Sequence, residues 1–99
     1  FLHVDDLADA VLFCLENWEL KPNEPTFLNV GTGLDISIYD LAHLVAKATG
    51  YIGEITWDSE KPDGTPRKLL DVSRLASKGW QSKIPLQEGI QRTVANYSF

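Results

Sequence analysis

The sequence contains one cysteine, Cys14, no methionine, and no apolar run near the roughly 20 residues that a helix needs to cross a bilayer. A lone cysteine excludes an internal disulfide framework. Set among apolar residues, Cys14 reads as a small buried thiol of a helix, which suits a reducing compartment and makes a cytoplasmic location the expectation. With no apolar span, no membrane segment is expected. Bases are also scarce: nine Lys and Arg stand against fourteen acids, for a net charge of −5. That balance argues against nucleic acid as a partner, since a broad basic face would be needed. Phe1-Leu2-His3-Val4-Asp5-Asp6 offers neither an initiator Met nor the basic-then-apolar grammar of a signal peptide, and reads as the start of a fragment of a longer protein.

What is present is one small domain over residues 1–99, with 43% hydrophobic and 23% charged residues, the profile of a folded soluble chain. Phe1 to Val4 reads as a short strand, and Asp5 and Asp6 as N-caps of a helix running to about Trp18. Its apolar positions Leu7, Val11, Cys14, Leu15 and Trp18 recur with helical period and predict an inward stripe. Lys21 to Pro25 breaks the pattern. Thr26 to Val30 reads as a buried strand ending at Gly31-Thr32-Gly33.

Ser37 then predicts an N-cap with Asp40 three residues on, and Gly50 the stop of a helix whose Leu41, Leu44, Val45 and Ala48 face inward. Ile52 to Trp57 is a third strand candidate, rich in β-branched and aromatic residues. After a charged loop, Asp71 is expected to cap a short helix ended by Gly79, and a last helix to run from about Leu86 to Tyr97, with Pro85 at its start. Two strands joined through the Ser37 helix make a parallel crossover, so the expected class is α/β, with short parallel strands and several helices.

Three features compete as sites. Gly31-Thr32-Gly33 follows a strand, but Ile36 stands where a dinucleotide fingerprint needs its third glycine, so it reads as a tight turn with no cofactor. His3 has no second histidine at ligand spacing and reads as structural, with no metal expected. The stretch from Lys61 to Asp71 is different: Lys61, Arg67 and Lys68 concentrate three of the nine bases in eight positions of an acidic chain. Pro62-Asp63-Gly64 is a turn in which Asp63 can accept from hydroxyl or amide donors. Pro66 stiffens the approach to Arg67, a planar fork for phosphate, and Lys68, a compact charge. Such a loop fits a small anion; the plainer possibility is a solvated loop whose bases pair with Glu60, Asp63 and Asp71.

Phe1 to Ala10, Leu28 to Gly33, Lys61 to Asp71 and Gly79-Trp80 together resemble the carboxy-terminal part of the GDP-L-fucose synthase family, which are extended short-chain dehydrogenase/reductases. The first two motifs are shared widely among nucleotide-sugar epimerases and dehydratases; the third is more specific. The resemblance implies a substrate-binding domain whose parent carries an upstream Rossmann domain holding NADP. It implies that Asp63 and Lys68, with Arg67 as a neighbour, contact a GDP-sugar, and that no catalytic residue lies in this chain, Cys14 included. The chain alone is then expected to lack activity and to bind no cofactor, with a homodimer as one outcome of its exposed surface. The alternatives are a domain of a UDP- or dTDP-sugar epimerase or dehydratase, and a non-catalytic module that binds an anion or a protein.

Overall fold

The computed structural model describes residues 1–97 and shows four helices: α1 (Val4–Asn17), α2 (Ile38–Thr49), α3 (Ser73–Ser77) and α4 (Leu86–Asn96). No strand is present among the described residues: the short strand expected at Phe1–Val4 instead runs into α1 at Val4, and the parallel pair expected of Thr26–Val30 and Ile52–Trp57 is not formed. A β-strand is defined by a hydrogen-bonded neighbour as much as by its own residues, and these runs have no such ladder here. Around Asn29 the chain passes beside Asp71, whose carbonyl accepts from the Asn29 side-chain amide at 3.2 Å, without becoming a sheet.

The start of α1 differs from expectation in a second way. Its N-cap is His3, whose Nδ1 accepts from the Asp5 amide at 3.2 Å, while Asp5 and Asp6 occupy the first turn, where acids complement the helix dipole. Asp6 is buried at 2% exposure and accepts from the amides of Lys83 at 3.1 Å and Ile84 at 3.0 Å. These bonds tie the segment before α4 to the start of α1. One turn on, Asp9 accepts from the Trp80 indole at 2.8 Å and from Lys83 Nζ at 3.1 Å. The buried face of α1 is therefore Asp6 and Ala10, with Phe13 and Cys14 half-buried behind them.

Ala10, Leu75 and Trp80 form the fully buried core, flanked by Leu2, Phe13, Cys14, Leu28 and Val30. The stripe of Leu7, Val11 and Leu15 faces solvent instead, at 46%, 51% and 78% exposure. Of the expected stripe, Cys14 does pack against the core and Trp18 is half-buried, so the phase is only partly shifted: the core side of α1 centres on Ala10, with Phe13 and Cys14 beside it.

Helix α2 forms as its caps require. Ser37 Oγ accepts from the Asp40 amide at 3.0 Å and donates to Asp40 Oδ2 at 2.7 Å, and Gly50 closes the helix at φ 70°. Asp71 Oδ1 accepts from the Ser73 amide at 2.9 Å at the entry to α3, and Gly79 leaves that helix at φ 107°. Pro85 precedes α4 with no side-chain cap, and α4 packs on α2. At Gly89 an added Cβ would lie 3.2 Å from His3 Cδ2, so a glycine is what lets α4 close against the α1 cap.

Candidate functional site

The turn after Val30 delivers the first half of the site. Thr32 Oγ1 accepts from the Leu34 amide at 3.2 Å, and Gly33 sits at φ 73° with its missing Cβ 3.0 Å from Val72 Cγ2. Both the backbone angle and the space therefore call for glycine. The chain emerges at Asp35, whose Oδ1 accepts from the Ile36 amide at 2.9 Å. Two residues later Ser37 caps α2, which begins at Ile38.

The charged loop supplies the second half. Arg67 Nε donates to Asp35 Oδ2 at 2.5 Å, across 32 positions of sequence. The bonded Arg67 guanidinium holds the Asp35 carboxyl below its ordinary value, with the Ile36 amide acting in the same direction. Between Asp35–Ile38 and Gly64–Lys68 lies an open cleft of about 830 Å³, within the range of small-molecule sites. Arg67 and Lys68 both line it, as do Ser37 and Ile38 at the positive end of α2.

Of the three residues singled out from sequence, the structure thus brings Arg67 and Lys68 to one cleft. Lys68 is exposed and makes no ion pair among the described residues. Asp63 is exposed, stands next to Gly64 at the cleft's edge and does not itself line it. Arg67 pairs with Asp35 rather than with Glu60, Asp63 or Asp71, so the self-paired loop does not form. Sequence reasoning passed over Asp35, because nothing local marks an acid between a turn and a cap as the partner of a distant arginine.

The other candidates have structural roles. His3 caps α1 and packs on Gly89, and no group of three or more His, Cys, Asp or Glu suited to a metal occurs among the described residues. His43 stacks on Tyr39 with ring centroids 4.3 Å apart, and Tyr39 stacks on Trp57 at 5.6 Å, which fastens the Ile52–Trp57 segment to α2. The Gly31-Thr32-Gly33 turn does not lead directly into a helix N-terminus: Leu34 to Ser37 intervene, and α2 begins only at Ile38. No helix of the described residues is long and apolar enough to cross a membrane.

No family model matches the chain. Individual proteins do. The chain is 47% identical over 97 residues to the probable GDP-L-fucose synthase 1 of Oryza sativa subsp. japonica, covering 98% of itself and 28% of that protein. Among solved structures it superposes with TM-score 0.81 and 36% identity on a GDP-6-OMe-4-keto-L-xylo-heptose reductase from C. jejuni, over 92% of this chain and 28% of the other. It superposes with TM-score 0.79 and 35% identity on a GDP-mannoheptose C4 reductase from Campylobacter jejuni with NADP bound, again over 92% and 28%. Over 92% of its length the chain thus shares the fold of part of these GDP-sugar reductases, of which it spans 28%. Its sequence is similar over nearly its whole length to a part of the GDP-L-fucose synthases, and it spans about 28% of the length of the relative described.

Proposed function

We propose that this chain is the nucleotide-sugar-binding part of a GDP-L-fucose synthase, and that the cleft between Asp35–Ile38 and Gly64–Lys68 receives the diphosphate of a GDP-sugar. The observation that carries the reading is the convergence of Arg67, Lys68 and the α2 N-terminus on one cleft in a chain of net charge −5. Lys68 supplies a point charge and Arg67 two free amino groups, both directed by a proline-stiffened loop toward phosphate oxygens. Asp63, at the cleft's edge, accepts from a hydroxyl or base donor of the ligand. The parent enzyme would epimerise a GDP-4-keto-6-deoxy sugar at C3 and C5 and reduce it at C4.

In that reaction this chain binds and orients, contributing proximity rather than proton or hydride transfer. NADP, which supplies the hydride, would be held by the Rossmann part of the parent. The chain by itself is therefore expected to show no NADPH-dependent reduction.

Calorimetric titration of the chain with GDP and with UDP tests the reading. GDP is expected to bind with Kd in roughly the millimolar range, since a lone charged cleft gains only a few kcal/mol. Lys68→Ala should weaken it about tenfold, the loss of one charge-assisted contact. Stronger binding of UDP would favour a UDP-sugar epimerase or dehydratase, and indifference to Lys68→Ala would remove the cleft from consideration.

A further inference from the structure

The Arg67 side chain offers five N–H donors, and Asp35 engages the one on Nε. Its two Nη amino groups make no hydrogen bond or ion pair among the described residues, and the side chain is 69% exposed on the cleft. Asp35 is held independently of the arginine, because its other oxygen accepts from the Ile36 amide and its backbone follows the left-handed turn at Gly33. Both carboxylate oxygens are thus in use, one on each side. This arrangement leaves the arginine oriented and its bidentate edge unspent.

We propose that Asp35 is a positioning residue for anion recognition, holding Arg67 by Nε so that its paired Nη groups grip the ligand's diphosphate. The inference rests on the reading of the cleft given above and adds a part to it that the loop itself does not contain. An arginine on an exposed loop otherwise loses side-chain freedom when it binds, and a preset guanidinium avoids that loss. It also gives the Gly31-Thr32-Gly33 turn a purpose: the turn sets a carboxylate, not a phosphate, at the mouth of α2.

Sign separates this role from ordinary electrostatics. Removing an acid from the rim of an anion site should tighten anion binding if the acid only repels. If Asp35 positions Arg67, removing its charge should weaken binding. The experiment is a titration of the 99-residue chain with GDP and with inorganic pyrophosphate, for the unaltered protein, Asp35→Asn, Arg67→Ala and the double variant, with a melting curve for each.

Asp35→Asn should lose roughly threefold to tenfold in affinity for both probes, the scale of one charged contact, at an unchanged or slightly altered Tm. In the Arg67→Ala background the same change should cost nothing and give a small gain. Equal or tighter binding by Asp35→Asn with Arg67 present would overturn the proposal, and so would an equal loss with Arg67 absent. Those results leave the cleft intact as a site. Failure of the unaltered chain to bind either probe would overturn the cleft reading and this inference together.

Discussion

Asp6 and Asp9 are one turn apart on α1 and make opposite demands on the solvent. Asp6 is 2% exposed and serves two amides, Lys83 and Ile84, that have no other acceptor. Asp6→Ala should therefore lower stability by about 1–3 kcal/mol in all, read as a shifted urea midpoint, while Asp6→Asn, which keeps an acceptor, should cost less. Asp9 is half-exposed, and its carboxyl is held below the ordinary value first by the Trp80 indole N–H and then by Lys83. Asp71 is lowered as well, by its bonds from Ser73. A carboxylate whose pKa is lower folded than unfolded contributes stability that is complete above the unfolded value and is lost as pH falls through the folded one. Urea midpoints should thus hold steady above about pH 5 and decline below about pH 4, with Asp9→Asn flattening part of that slope. None of the long-range bonds of Asp6, Asp9 or Asp35 could be read from sequence, because their partners lie 32 to 78 positions away.

Helices were legible where their punctuation is local. Ser37, Asp40 and Gly50 all act within α2 or at its ends, and each takes the part its position implies. Ser37→Ala should cost about 1 kcal/mol, the worth of a cap hydrogen bond, and Gly50→Ala about 1 kcal/mol from the left-handed backbone alone, since nothing lies within 4 Å of the Cβ it would gain. Thermal melts of the two variants check both figures. Strands were legible as residue preference and failed as structure, because Thr26–Val30 and Ile52–Trp57 carry no record of a pairing partner. What holds the second of these in place is Trp57 on Tyr39, an aromatic contact across 18 positions that neither segment's own pattern specifies.

The whole molecule is open for its size. Its radius of gyration is 17.0 Å, against about 13 Å expected of a compact 100-residue domain, and its extents are 54 × 32 × 19 Å. Only Ala10, Leu75 and Trp80 are fully buried among the apolar residues described, while Val4, Leu7, Val11 and Leu15 leave one side of α1 exposed. A contiguous apolar face of this kind favours association. Sedimentation should show mass rising with concentration, and Leu15→Glu should suppress that rise while changing stability by no more than about 0.5 kcal/mol. A monomer at all concentrations would contradict it. The central claim, that the cleft at α2 takes a nucleoside diphosphate, is tested most directly by following backbone amide resonances of the chain during addition of GDP. The account predicts shifts concentrated in residues 35–38 and 64–68, saturating together and needing about tenfold more GDP in Lys68→Ala; shifts elsewhere, or none at all, would contradict it.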